Sequence, residues 1–483
     1  MQKQAKKFKL SAADGAAYIF IILIMTVLLT ATVLFSIDYS FVIIWNFIKN
    51  NVLIFVGLVG LILVILLTIF IYLGFSNKKF IIAKKNLVII VIAVLITVLL
   101  EYPMEVYTPL YLVPSLLATA LVMILISAQE AFVTNSFLTL IFLTIAILRG
   151  INGDFTIGAT KLYFTKIITG AFSGYFIILI LKNAGSRIKF VLYGFIVAML
   201  VMPLAFTLSL FIGNSPIDSL YNALWALVGN MGCVVLFMFL LPLFESVFSI
   251  STTFKLNEYC NFNNALLKRL SEEAPGTFNH SLMVGNLAES CAIAIGENPQ
   301  LARAAAYYHD VGKLLDPKYF SENQTGTNPH DDLIPEVSVK KIIKHTEYGY
   351  TLLKRYKYPE EIAEIALEHH GTSPVGYFYQ KALNLTEGKI NIANYSYSGP
   401  KPQTKIAAII MICDAAEAAS RAIRTAGVGA ENLVGKLINE KIDYGQLDEC
   451  PITMSELEIV KSTIFSVLSG IYHTRVDYNK KVK

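Results

Sequence analysis

Six side chains in the C-terminal half of the sequence have the types and spacing for metal chemistry. His280 recurs at helical intervals with Val284, Leu287 and Cys291, and His345 with Ile342, Gly349 and Leu352. His369 shares a face with Ile362, Ile365 and Ala366, and Asp414 follows Ile406, Ile410 and Met411 on the apolar run Lys405–Ile423. Spacings of three, four or seven residues put each polar group among the aliphatic ones, aimed into a core. Burying such a group without a partner costs on the order of a few kcal/mol. Four helices aimed inward therefore need common partners, and metal ions would satisfy them all. His309 and Asp310 add two adjacent ligands where a helix is expected to end before Gly312. A lone histidine on an apolar face is more often a hydrogen-bonded core residue, so the inference rests on the constellation. His330, in Asn328-Pro329-His330, and His473, near the C-terminus, are read as structural. His370 is ambiguous, because its neighbour His369 already has the better inward position, and it stands only as an additional ligand candidate.

Imidazole and carboxylate without thiolate suit Mn, Fe or Zn. The five cysteines are scattered, never in a C-x-x-C pair, and read as buried hydrophobes of a reducing compartment. One carboxylate able to bridge, with four or more other ligands, suits two divalent ions about 3.5–4 Å apart. That arrangement hydrolyses phosphate esters by attack of a bridging hydroxide on phosphorus. Asp310 is the bridging candidate, and Lys313 is spaced to meet a phosphate as a point charge.

The elements that must position these residues read as helices. A linker helix over 251–272, through Leu266, Leu267 and Leu270, ends near Pro275-Gly276. Thr453-x-x-Glu456 is a capping box opening a last helix to about residue 472. Ser396–Pro402 is a loop, and no stretch alternates as a strand would, so the expectation is all-α.

The other half of the chain is a different kind of polymer. Residues 1–250 carry 15 Lys/Arg against 8 Asp/Glu, and residues 251–483 carry 25 against 27 together with every histidine. The first half is too apolar for a soluble domain, and the second has a globular balance and enough length for its own core. A plain soluble enzyme is excluded, and so is a channel with a short tail. Eight apolar runs are read as spans: 16–37, 52–75, 86–102, 110–127, 131–148, 164–182, 189–212 and 222–244. The first run is too long for a cleaved signal peptide. Lysine and arginine cluster at Lys3, Lys6, Lys7 and Lys9, at Lys78, Lys79, Lys84 and Lys85, and at Lys182, Arg187 and Lys189. With eight spans these clusters and the C-terminal half share the cytoplasmic side of a cell membrane, as the positive-inside rule requires. Glu101, Glu105 and Glu130 fall at span ends, Pro114 and Pro203 inside apolar runs. With almost no ionisable chemistry within the spans, anchoring or sensing is favoured over transport. The expected division is 1–50 (tail, first span, short external loop), 51–250 (seven spans), 251–272 (linker) and 273–483 (the histidine domain).

The order His280, His309-Asp310, His345, His369, Asp414 resembles the HD-domain phosphohydrolases. The words EAPGTFNHSLMVGNLAE (Glu273–Glu289), AYYHDVGK (Ala306–Lys313), EHHGTSPVGYFY (Glu368–Tyr379) and GQLDEC (Gly445–Cys450) narrow the likeness. With the polytopic half in front, the chain resembles the seven-transmembrane HD family, the PgpH-type cyclic di-AMP phosphodiesterases. That resemblance implies a cytoplasmic helical HD domain with two Mn or Fe ions, hydrolysing cyclic di-AMP to pApA. It also implies that His280, His309, Asp310 and Asp414 hold one metal and Asp310, His345 and His369 the other, with Lys313 the HD-x-G-K lysine. Such proteins usually carry a large extracellular domain after the first span; here residues 38–51 stand in its place. Expected partners are cyclic di-AMP and the bilayer, with no nucleic-acid polymer, and a homo-oligomer is left open. The alternatives are cyclic di-GMP, another nucleotide or an alarmone as substrate, or a nucleotide-binding receptor without turnover. Glu368-His369-His370-Gly371 is followed by no Gly-Tyr-Pro, which disfavours cyclic di-GMP. Tyr377, Phe378 and Tyr379 are either base-stacking or core aromatics.

Overall fold

The computed structural model describes residues 12–35, 40–76, 84–107, 114–151, 157–181, 185–385, 390–423 and 430–471. Lys3, Lys6, Lys7, Lys9, Lys78, Lys79, Lys182 and His473 lie outside the described residues. Internal packing divides the chain into two units, Met1–Thr252 and Thr253–Lys483. The described residues are helical throughout, the only strand-like pairing among them being a single bridge between Pro374 and Ser396.

The first unit contains α1 (Ala12–Phe35), α2 (Phe41–Asn50), α3 (Val52–Ser76), α4 (Lys84–Tyr107), α5 (Ser115–Leu125), α6 (Ala128–Ile151), α7 (Ile157–Leu181), α8 (Arg187–Phe211) and α9 (Pro216–Val247). Among the described residues, six of these helices (α1, α3, α6, α7, α8 and α9) are long and apolar enough to cross a membrane. Of the run expected over 110–127, residues 110–113 lie outside the described residues, and the described part holds an eleven-residue helix whose N-cap is Pro114. Pro203 lies inside α8, as expected. The loop expected at 38–51 contains α2. The expectation that the spans hold almost no ionisable chemistry is corrected by an ion pair. Lys166 Nζ of α7 lies 2.6 Å from Glu101 Oε1 of α4, both side chains at most 5% exposed. Each residue stands near a span end, where it counts as flanking charge in the sequence, yet packing buries the two together.

In the second unit the stretch expected as one linker helix is two, α10 (Thr253–Tyr259) and α11 (Ala265–Glu273). Asn264 opens α11 by accepting a hydrogen bond from the Leu266 N–H, and Pro275 occupies the first turn of α12 (Pro275–Ile295). Leu256, Leu266, Leu267 and Leu270 are buried in the unit's main core. Gly296, at φ 75°, ends α12, and Asn298 caps α13 (Pro299–Tyr308). There follow α14 (Pro335–Arg355), α15 (Glu360–Glu368), α16 (Gly376–Leu385), α17 (Lys405–Ile423), α18 (Ala430–Asp443) and α19 (Met454–Ile471). α12 is central and packs on α13, α17 and α19. The capping box forms: Thr453 Oγ1 accepts from the Glu456 N–H at 3.2 Å and Glu456 Oε2 from the Thr453 N–H at 2.8 Å.

Candidate metal centre

Each site residue is placed by the end or the buried face of a helix. His280 sits in the first half of α12 and Asp414 in the middle of α17. His309 is the residue after α13, Asp310 follows it, and the chain continues as a 3₁₀ turn, Val311–Leu315. That turn lies directly on α14: a Cβ on Gly312 would come within 1.8 Å of the His345 carbonyl oxygen and 2.6 Å of the Gly349 nitrogen. Glycine is thus what lets Asp310 approach His345. His369 and His370 follow α15, and Gly371, at φ 54°, turns the chain away in the left-handed region. Gln446, from GQLDEC, secures that turn by accepting from the Thr372 N–H at 2.9 Å.

All seven residues meet. Their ligand atoms form two groups, His280–His309–Asp310–Asp414 and Asp310–His345–His369–His370, each within 4.8 Å. Asp310 belongs to both. Its Oδ2 lies 3.3 Å from His309 Nε2 and 3.6 Å from His280 Nε2, and its Oδ1 lies 3.3 Å from His345 Nε2 and 3.6 Å from His369 Nε2. Asp414 Oδ1 is 2.9 Å from His280 Nε2, and His370 Nδ1 is 3.8 Å from Asp414 Oδ2.

Hydrogen bonds away from the centre fix which nitrogen faces it. His309, His345 and His369 each donate Nδ1–H to the carbonyl three residues earlier, at 2.7, 2.6 and 3.0 Å. In its neutral form each of these rings turns an Nε2 lone pair inward. Two such lone pairs, on His345 and His369, face each other at 3.3 Å. His309 Nε2 and Asp310 Oδ1 are buried with no hydrogen-bond partner. Lone pairs and carboxylates converging in a dry space repel unless a cation joins them, so the donor set fits metal ions.

The electrostatics agree. Burial opposes ionisation of Asp310, but Lys313 and His309 hold it well below the usual carboxylate range. Burial likewise opposes charge on His309, yet the facing carboxylates of Asp310 and Asp414 raise it to about 10. On the other side, burial pushes His345 down to about 3. The first group calls for positive charge, and on the other side His345 offers a neutral imidazole.

Four contributors were not singled out by the sequence. Glu417 Oε2 accepts from His280 Nδ1 at 2.5 Å; its position one helical turn beyond Asp414 was the available signal. Glu322 Oε1 binds Lys313 Nζ at 2.7 Å and accepts from Thr277 Oγ1 at 3.0 Å. Tyr397 stacks on His370 with ring centroids 4.3 Å apart. Gln446 lay in a family word without a role. Lys313 Nζ also lies 2.7 Å from Asp310 Oδ2, at the edge of the centre. His330 is a core residue, donating Nε2–H to the Tyr319 carbonyl at 2.9 Å, against Phe378. Phe378 is buried and Tyr377 is exposed.

Comparison with known proteins covers both units. Residues 277–419 match the HD domain, and residues 52–252 match the 7TM receptor with intracellular HD hydrolase. The cyclic-di-AMP phosphodiesterase PgpH of Listeria monocytogenes is 39% identical over 373 residues, 76% of this chain and 50% of that protein. PgpH of Bacillus subtilis is 36% identical over 424 residues, 84% of this chain and 58% of that protein. The chain thus spans about half the length of these curated relatives. The crystal structure of the L. monocytogenes PgpH HD domain in complex with cyclic-di-AMP is 46% identical, covering 44% of this chain and 99% of that one, with a TM-score of 0.41.

Proposed function

The chain belongs to the family of the 7TM receptor with intracellular HD hydrolase, and on that premise we propose a membrane-anchored, metal-dependent phosphodiesterase that converts cyclic di-AMP to pApA. The observation that carries this reading is Asp310, whose two oxygens face two separate groups of buried imidazoles. Identity to two curated cyclic-di-AMP phosphodiesterases supports the substrate. His280, His309, Asp310 and Asp414 would hold one divalent ion, and Asp310, His345, His369 and His370 the other. Mn or Fe suits this nitrogen and oxygen donor set, as does Zn. Such a pair supplies activated water and Lewis-acid stabilisation of charge on phosphorus oxygens.

The chain's own residues do the rest. The backbone carbonyls of Ala306, Ile342 and Ala366 hold three imidazoles in the lone-pair-inward tautomer. Lys313, 12% exposed, takes a phosphate oxygen of the substrate as Glu322 shares its charge. Tyr397 lines the site over His370, where an aromatic ring excludes water and can stack on a base. The apolar helices anchor the enzyme, with the N-terminus and the HD domain on the cytoplasmic side.

The test is a side-by-side rate comparison on cyclic di-AMP, cyclic di-GMP and an alarmone, using the purified chain with Mn²⁺. Cyclic di-AMP is expected to be turned over fastest, giving pApA. Faster turnover of another nucleotide would reassign the substrate, and binding without turnover would make the protein a receptor.

A further inference from the structure

His280 is held differently from the other three imidazoles that face Asp310. Where His309, His345 and His369 donate Nδ1–H to a backbone carbonyl, His280 directs Nδ1 at the carboxylate of Glu417, 2.5 Å away and 3% exposed. α17 supplies both carboxylates that bracket this ring, Asp414 before Nε2 and Glu417 behind Nδ1. A carboxylate behind an imidazole locks its orientation and raises the basicity of the opposite nitrogen more than a neutral carbonyl does. The two groups of ligands also differ in charge. Two carboxylates, Asp310 and Asp414, belong to the His280–His309 position, whereas the His345–His369–His370 position has only Asp310 among its ligands. Lys313 does lie on Asp310 Oδ2, facing the first position, but Glu322 at 2.7 Å offsets its charge.

Resting on the metal-centre reading above, we infer that the two positions are unequal: the His280–His309–Asp310–Asp414 position binds a divalent ion more tightly and fills first, and Glu417 sets that order. The second position is then the exchangeable one, and its occupancy follows the free metal concentration. Glu417 is a positioning residue acting through His280.

Calorimetric titration of the metal-stripped full chain in detergent with Mn²⁺ tests this. Two steps are expected, separated at least tenfold in Kd. Glu417→Gln should weaken the tight step about 10–100-fold and leave the loose step within about threefold. His370→Ala should do the reverse, weakening the loose step alone, which keeps the test decisive if the Glu417 variant fails to fold. Two equivalent sites in the parent chain, or weakening of the tight step by His370→Ala, would overturn the inference and leave the metal centre standing. No Mn²⁺ bound at all would instead remove the metal centre itself.

Discussion

In the unit Met1–Thr252, the buried carboxylates Glu101 and Glu245 each meet a single cation, while in Thr253–Lys483 buried ionisable groups converge on a common space. Lys166 meets Glu101 at 2.6 Å, and Arg187 meets Glu245 at 3.2 Å. The polar side chains between them behave alike, Asn135 donating to the Ala171 carbonyl at 2.9 Å and Asn230 to that of Ala226 at 2.8 Å. In the second unit five imidazoles and two carboxylates point at one another instead, and buried ligand atoms are left without hydrogen bonds. The difference is diagnostic. A polar group that finds its partner nearby offsets its own desolvation and stabilises a fold, whereas a cluster that leaves ligand atoms such as His309 Nε2 and Asp310 Oδ1 unsatisfied suits a cation brought from outside.

Four substitutions press on that comparison. Asp310→Ala removes the one group shared by both clusters. Turnover should fall by on the order of 10³-fold, the scale of losing a principal transition-state contact, and metal analysis should show both ions weakened. In the first unit, Lys166→Met leaves Glu101 buried without its cation and should cost about 3–5 kcal/mol, read as loss of thermal stability in detergent. Restoring most of that loss with Glu101→Gln would show the pair to be structural; no change in stability with Lys166→Met would place it outside the fold's energetics. Gly312→Ala forces a methyl against the His345 carbonyl and should cost about 1–3 kcal/mol as an overpacked contact. Because the shift separates Asp310 from His345, metal affinity should fall with it; stability lost at full metal content would contradict the assigned role of Gly312.

The smallest effect lies farthest from the centre. Thr453→Ala breaks the capping box and should lower stability by about 1 kcal/mol, visible in thermal unfolding with metal content unchanged. Its partner carries a pH signature. Lys405 and the Thr453 N–H lower the Glu456 pKa from 4.5 to about 2. A carboxyl depressed in the folded state stabilises above its unfolded pKa, so the contribution is complete above about 4.5 and fades as pH falls toward 2. Because Thr453→Ala keeps both Lys405 and the backbone N–H, most of that acid dependence should remain in the variant.

Much of the centre was legible because helical spacing exposes a polar residue on an apolar face. His280 among Val284, Leu287 and Cys291 is conspicuous, and so is Asp414 in Lys405–Ile423, whose start at Lys405 the structure reproduces. Glu417 was less visible, since a glutamate near the end of a helix usually faces water, and only packing against α12 shows that it does not. Glu322 and Tyr397 come from irregular segments with no periodicity to read. In the first unit the apolar runs marked most helices, but hydropathy could not show that Lys166 and Glu101, 65 residues apart, would be buried together. Pairing of that kind is a tertiary fact without a local pattern.

If the ligand atoms converging on Asp310 form a two-metal centre for phosphodiester hydrolysis, metal content and turnover must rise and fall together. Mn per chain and pApA released per minute, counted in one preparation of the 483-residue chain, decide the matter. Two ions per chain are expected, with release of pApA from cyclic di-AMP that rises with occupancy and stops when a chelator strips the metal. Protein carrying two ions yet inert toward cyclic dinucleotides, or equally active after stripping, would contradict that expectation.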